Sequence, residues 1–336
     1  MDVNPSAEQR QLIDAFAALY ADASPPEVVR AAEPLGHSPD LWQRLLDTGA
    51  VEMALPESAG GGGATLLDLA LVAEQHGRHV APAPLIEAQV AARLLAGLGE
   101  ATADLVAEIH GGRLVTLALR PPRGDRAELV PAAAVADGVV VRRGADLILV
   151  PTAGRSTAVA TLGAQPVADV TISPDDRVLA SGDEALAAYA MALDEWRVLT
   201  AAALTGLAAR ALEIGVSYVL ERKAFDRTLG SFQGVAHPLA DRASEVDGSE
   251  LLVHEAAWAR DEEPARFAEL GAMALGFAAE TARDTSYYAL HFHGGYGFML
   301  EYPIQLYYRR ARSWGALLES PQASFRRVAD LRLAAG

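Results

Sequence analysis

The sequence predicts an α+β protein in three parts: an N-terminal all-α domain over 1–110, a small middle β domain over 111–183, and a C-terminal four-helix-type bundle over 184–336. Three changes of texture carry this reading. Apolar residues recur with a helical period through the first third, broken by capping residues and glycines. From Leu114 the β-branched runs Val139–Val141, Leu147–Val150 and Val170–Ile172 take over, punctuated by Gly138, Gly144, Gly154 and Gly163. After Asp183 the chain turns alanine-rich, with its turn residues gathered at Gly230–Gly234 and Gly294–Gly297, so long antiparallel helices are expected.

In the first part, Ser6 with Gln9 three residues on is a capping-box pattern, while Ser38-Pro39-Asp40 and Gly49 mark a second start and its stop. Helices are expected over 6–22, 39–48, 65–77 and 84–97. Gly60–Gly63 lies between two of them, and no Lys-Ser or Lys-Thr follows it as a phosphate loop requires, so it reads as a connector. In the last part the expected helices run over 184–221, 236–260, 264–290, 303–315 and 321–334, with no internal repeat and no low-complexity linker.

Composition narrows the function. A chain of 336 residues, 51% of them hydrophobic, is a globular protein with a large core. A formal net charge of −16 argues against nucleic acid or an anionic membrane as partner, since both need a basic face. Among the 28 basic residues Lys223 is the single lysine, so arginines must carry any anion binding. The absence of cysteine excludes disulfides, thiol catalysis and thiolate metal sites, and no other metal site is expected. The N-terminus has no basic region followed by an apolar run, and no charge-free apolar stretch reaches transmembrane length. A cytoplasmic placement is expected.

Two stretches carry the chemistry. From His291 the chain reads His-Phe-His-Gly-Gly-Tyr-Gly-Phe-Met-Leu-Glu-Tyr-Pro, directly after an apolar helical run. Gly294, Gly295 and Gly297 can take positive φ and leave N–H groups open to a phosphate; equally, they can simply end a helix in a tight turn. The second stretch is Arg222-Lys-Ala-Phe225-Asp-Arg-Thr-Leu-Gly230-Ser-Phe232-Gln233, followed by Leu239-Ala-Asp241. It resembles the Arg-x-x-Phe-Gly, Phe-Gln and Leu-Ala-Asp series of the acyl-CoA dehydrogenase family, and the first stretch resembles that family's Gln-x-x-Gly-Gly-x-Gly series ending in Tyr-Pro. Upstream, Pro56-Glu57 before Gly60–Gly63, and Glu74-Gln-His-Gly77-Arg78 before Pro82 and Pro84, look like the family's Pro-Glu-x-x-Gly-Gly and Glu-x-x-Gly-Arg segments. The resemblance spans nearly the whole chain and is weakest over 110–185.

The resemblance implies the three-part fold already reached from texture, and a reaction in which a carboxylate removes the α-proton of an acyl-CoA thioester while FAD accepts the β-hydride. It implies an ADP half of the flavin held by Arg222, Phe225 and Gln233 from one subunit, and by His291, Gly294, Gly295 and Gly297 from another. For Arg222 a surface ion pair with Glu221 or Asp226 is the plainer alternative. Departures stand beside the matches. Asp226 replaces the family's glycine, His291 replaces its glutamine, and its Thr-Glu-Pro and Gly-Ser-Asp elements, which contact the flavin ring, are unrecognisable between Thr116 and Asp125.

The family places its glutamate base in one of two positions. Keeping Val328-Ala329 in register puts Leu318 at the first, with Glu319 one residue later. Keeping Arg197 and Gly206 in register puts Trp196 at the second, with Glu195 one residue before. A one-residue step on a helix turns a side chain by about 100°. Glu319 lies in a turn and is the catalytic candidate; Glu195 reads as a solvated helix face. Short actinobacterial members of the family lack the glutamate and pair with a complete sister chain in α2β2 heterotetramers that oxidise CoA thioesters of sterol side chains. This chain resembles them. The resemblance therefore implies FAD, an acyl-CoA substrate, a homologous acyl-CoA dehydrogenase chain and an electron-transfer acceptor protein, in lipid metabolism and steroid degradation. The alternatives are a homo-oligomer using Glu319 and a flavin-free scaffold, the latter resting on Asp226 and His291.

Overall fold

Ser6 forms the capping box its spacing predicts, accepting from the Gln9 amide at 3.1 Å while its own amide donates to the Gln9 side chain at 3.0 Å. In the computed structural model, which describes residues 4–334, it opens α1 (Ala7–Ala23). There follow α2 (Pro26–Ala31), α3 (Pro39–Asp47), α4 (Leu66–Arg78), α5 (Leu85–Gly97) and α6 (Ala103–His110). Four of these match the expected spans within a residue or two. The sequence reading missed α2 and α6, which are too short to establish a period.

The β-branched region folds into β1 (Val115–Leu117), β2 (Arg126–Val130), β3 (Gly138–Arg143), β4 (Asp146–Pro151), β5 (Ser156–Ala158), β6 (Ala168–Thr171) and β7 (Arg177–Ser181). They form one sheet in the order β1-β3-β4-β7, parallel only between β1 and β3, and a second, antiparallel, in the order β2-β6-β5. Val139, Val141, Ile148 and Val150 from the first sheet share a core with Ala127, Val130, Ala168 and Val170 from the second. β3, β4 and β6 thus send every other residue into this core.

The last part comprises α7 (Gly182–Glu221), the two-residue strands β8 (Lys223–Ala224) and β9 (Arg227–Thr228), α8 (Gln233–Glu262), α9 (Pro264–Phe292), α10 (Ile304–Ala311) and α11 (Pro321–Ala334). At 40 residues α7 is about 60 Å long. It is long and apolar enough to cross a membrane by length and composition, though charged residues interrupt it, and 72% of its most apolar window is buried inside the protein. It is the core helix of the bundle.

Packing divides the chain differently from its secondary structure, into two compact units: 28–69 with 82–196, and 1–27 with 70–81 and 197–336. The first holds both sheets and α5. In it Arg93 reaches from α5 to Glu195 of α7 at 3.0 Å and also donates to the carbonyls of Ala54 and Ala64. The second is the helical bundle. There the helices touch backbone to backbone: a Cβ on Gly77 of α4 would lie 1.8 Å from the carbonyl oxygen of Ala203, and one on Gly206 of α7 would lie 2.0 Å from that of Glu74. Gly77 and Gly206 are glycines because no side chain fits between the two helices.

Candidate functional site

The stretch Arg222–Gln233 forms a minimal hairpin. Lys223 pairs with Thr228 and Ala224 with Arg227, leaving Phe225 and Asp226 as a two-residue turn with φ of 53° and 60°. Two left-handed residues are what a type I′ turn needs. Asp226 explains itself here, because aspartate tolerates the left-handed conformation that glycine would otherwise supply. Phe225 tolerates it poorly, and it is 90% exposed. A strained aromatic held out to solvent is a feature of sites that await a partner. Cross-strand pairing puts Arg222 and Arg227 on the same face of the hairpin, with Arg227 over the ring of Phe232 at 5.2 Å. The expected alternative partners of Arg222, Glu221 and Asp226, form no ion pair with it among the described residues. Gln233 is exposed at the first position of α8.

The glycine stretch is a 3₁₀ turn, Gly294–Phe298, capping α9. Its glycines do three different things. Of the three that could take positive φ, Gly294 alone does so, at 61°. Around Gly294 and Gly295 a Cβ would meet nothing within 4 Å, so this face of the backbone is clear for a ligand. Gly297 is buried, and a Cβ there would stand 2.4 Å from the Leu290 carbonyl oxygen: it serves packing. His291 is exposed on the last turn of α9, with its ring near-parallel to that of Tyr287 at 5.8 Å. His293 stacks on Tyr218 at 4.0 Å, tying the glycine turn to the end of α7 four residues before Arg222. Burial lowers the pKa of His293, whose Nδ1 sits 2.7 Å from the Ala289 carbonyl oxygen. Tyr296 and Phe298 in the turn, and Met299 and Leu300 just past it, are all exposed.

Glu319 is not poised as a base. Both its oxygens take the Arg197 guanidinium, at 3.0 and 3.2 Å, and Ser324 Oγ donates to it at 2.9 Å. Burial raises its pKa, but the Arg197 hydrogen bond and charge, Ser324 and Arg327 outweigh burial and hold the carboxyl below its ordinary value. Leu318 and Trp196, which occupy the two family registers, are buried. Glu195 is not the solvated face the sequence suggested: it is 3% exposed and paired with Arg93.

Two upstream motifs prove architectural. In Gly60–Gly63 every amide donates to a nearby carbonyl, Gly60 to Glu57, Gly61 to Pro56, Gly62 to Glu52 and Gly63 to Leu55, so none is left for a phosphate. Glu74-Gln-His-Gly77-Arg78 lies on α4, where Glu74 meets His254 of α8 at 2.9 Å and Arg78 meets Glu213 of α7 at 2.6 Å.

Comparison with known proteins now fits this geometry. The family model for the acyl-CoA dehydrogenase N-terminal domain matches residues 6–103, and that for the C-terminal domain matches 186–316. The acyl-CoA dehydrogenase IpdE2 of Mycolicibacterium smegmatis is 31% identical over 334 residues, covering 96% of this chain and 98% of its own. The chain belongs to the acyl-CoA dehydrogenase family. It is an oxidoreductase chain with the N-terminal helical, middle β and C-terminal helical arrangement of acyl-CoA dehydrogenases. Among solved structures, the ChsE4-ChsE5 complex from Mycobacterium tuberculosis superposes with a TM-score of 0.89 at 27% identity over all of both chains. The Tcur3481-Tcur3483 steroid ACAD does so with 0.87 at 29% identity over 98% of each.

Acyl-CoA dehydrogenases generally bind FAD, and the residues here fit one half of it. Arg222, exposed and without an ion pair among the described residues, the exposed Phe225 and the clear backbone at Gly294 and Gly295 suit an ADP group. Thr116, the threonine nearest the family's ring-contacting element, is buried and donates its hydroxyl to the Pro131 carbonyl at 2.8 Å.

One group stands out that the sequence reading passed over. Glu87 lies on α5, its carboxylate oxygen accepting from the Trp196 indole at 3.4 Å, and burial raises its pKa. The available signal was an acid inside Leu85-Ile-Glu-Ala-Gln-Val-Ala-Ala, a stretch too apolar to leave a solvated face.

Proposed function

We propose that the chain is one subunit of a cytoplasmic, FAD-dependent acyl-CoA dehydrogenase that oxidises a steroid-derived acyl-CoA at its α,β bond. A homologous sister chain supplies the catalytic base and the flavin-ring contacts, and electrons leave to a separate acceptor protein. One observation carries this reading. Both family base registers hold apolar or aromatic residues, Leu318 and Trp196, and the nearby Glu319 is committed to Arg197, while Arg222 and Phe225 stand exposed. Relatives that are steroid ACADs or two-chain complexes support the same reading.

FAD supplies the hydride acceptor when bound. This chain's residues hold it: Arg222 offers a forked donor to the pyrophosphate, Phe225 a ring face, Gln233 and His291 further donors, and Gly294 and Gly295 a backbone free of side chains. Arg222 and Arg227, together on one hairpin face, offset the Asp226 carboxylate beside the same anion.

The test is co-expression with a homologous chain encoded nearby, compared with expression alone, by visible absorption and thioester turnover. The reading expects a yellow, active complex and a colourless single chain. A yellow, active homo-oligomer from single-chain expression reverses it in favour of Glu319.

A further inference from the structure

Helix α9 ends at His293, and Gly294 follows with φ of 61°, so the direction in which the glycine backbone leaves the helix is set at this residue. The last carbonyls of a helix lack intrahelical donors. Here the His293 amide turns to the Leu290 oxygen at 3.1 Å, and the side chain serves Ala289 instead, with Nδ1 2.7 Å from its oxygen. A carbonyl oxygen only accepts, so Nδ1 carries the proton.

The ring, in a residue only 5% exposed, is held from two further sides. Tyr218 of α7 lies over it with the rings 4.0 Å apart and 21° from parallel, and the Tyr218 hydroxyl is 3.5 Å from the His293 carbonyl oxygen. Tyr302, beyond the glycine turn, meets the ring edge-on at 6.1 Å and contacts Tyr296 of the turn at 5.3 Å. Behind this contact α7 and α9 already touch: a Cβ on Gly215 would stand 2.9 Å from the Ala289 Cβ. Tyr218 therefore cannot follow a shifting ring by moving its helix closer. Its own carbonyl accepts from the Arg222 amide at 2.9 Å, so the residue under the glycine turn is also the one from which Arg222 hangs.

A helix stop needs less than this. Gly294 in the left-handed conformation ends α9 by itself. What the clamp adds is a fixed direction for the next two peptides. A Cβ at Gly294 or Gly295 would meet nothing within 4 Å, so a ligand there meets main chain, whose N–H directions no rotamer change can correct. Such a site is only as accurate as its support. We propose that His293 is a positioning residue for the ADP group of the flavin, clamping the Gly294–Gly295 backbone to Tyr218 of α7. This rests on reading the chain as a flavin-holding subunit, and it extends that reading from the groups that touch the cofactor to the one that aims them.

The test uses the assembled complex in two titrations: FAD into the flavin-stripped form, followed by fluorescence, and S-octyl-CoA, a thioether that cannot be dehydrogenated, into the loaded form. His293→Ala is expected to raise the Kd for FAD about tenfold, the worth of one hydrogen bond to a charged group, and to leave that for S-octyl-CoA unchanged. Tyr218→Leu should do the same, and the double variant should lose no more than the worse single one, because both remove one clamp. Tyr218→Phe keeps the stacked ring and should bind FAD nearly as tightly as the wild type. FAD affinity unmoved in His293→Ala, losses that add in the double variant, or FAD and thioether weakened alike overturn the inference, the last being plain loss of packing. Tyr218→Leu against Tyr218→Phe decides the matter if His293→Ala fails to fold, and equal affinities in that pair count against the clamp. A wild-type complex that takes up no flavin is a failure of the subunit reading; flavin bound equally well by wild type and variants is a failure of this inference alone.

Discussion

A general base must be free to take up a proton, and Glu319 has both oxygens on Arg197 and one on Ser324. Replacing a true base by its amide typically costs at least 10²-fold in rate. Glu319→Gln in the assembled complex is therefore expected to lower kcat by less than about tenfold, and a loss of 10³-fold with flavin still bound would make this chain the catalytic one. Its effect belongs in stability instead. The folded pKa lies below the ordinary value near 4.5, so the pair stabilises the protein above that value and loses its contribution as pH falls through the folded pKa. Urea titrations should show the variant clearly weaker at pH 7, with the difference closing as the pH is lowered into the acid range. Arg222 has the opposite profile, exposed and without an ion-pair partner among the described residues. Arg222→Ala should leave urea stability unchanged and reduce flavin occupancy of the complex at least about tenfold, through loss of a charge-assisted contact to phosphate. Unchanged occupancy returns Arg222 to the surface.

At the scale of elements, the hairpin 223–228 sets conformational strain against function. Asp226 holds φ at 60° and puts a carboxylate beside the proposed anion site. Asp226→Gly relieves both, so it should tighten flavin binding severalfold in fluorescence titrations; weaker binding would show that the carboxylate itself contacts the cofactor. The crossing of α4 and α7 is more sensitive. At Gly77 and Gly206 an added methyl meets backbone at 1.8 and 2.0 Å, which side-chain adjustment cannot relieve. Gly77→Ala or Gly206→Ala should cost at least about 2 kcal/mol in urea unfolding, and a neutral result would mean the helices separate freely. Long periodic elements were legible in the sequence: the Ser6 capping box, and the helices later seen as α7, α8 and α9, follow from spacing alone. Short elements were not, since two residues per strand in β8 and β9 give no period, and only the left-handed turn at Phe225 and Asp226 reveals the hairpin. The site was legible as motifs but not as roles. Gly294, Gly295 and Gly297 look alike in sequence and differ only in what lies beside them, and Glu195 looks solvated until Arg93 arrives from a helix about a hundred residues earlier in the chain.

For the whole molecule the question is what covers the exposed apolar side chains of the hairpin 223–228 and the glycine turn. Phe298 is 75% exposed and Leu300 69%, with Tyr296 and Met299 between and before them and Phe225 out on its hairpin. Large apolar residues clustered this way on a chain with a net charge of −16 mark a surface that meets another subunit rather than water. Two kinds of contact are then expected at one interface, and they respond differently to salt. Apolar burial is insensitive to moderate ionic strength, whereas the arginine contacts to a flavin anion are screened over about 10 Å at 0.1 M. The double variant Phe298→Ser with Leu300→Ser should therefore weaken association with the sister chain at least about tenfold, equally at 0.05 and 0.5 M salt, because buried apolar anchors dominate interface energy. Raising salt on the wild-type complex should instead release flavin before the subunits separate. Sedimentation with simultaneous absorbance at the flavin and protein bands reads both. Subunits that part before flavin leaves, or a double variant that assembles as tightly as the wild type, would mean that the loop 296–300 faces solvent and that the sister chain docks elsewhere.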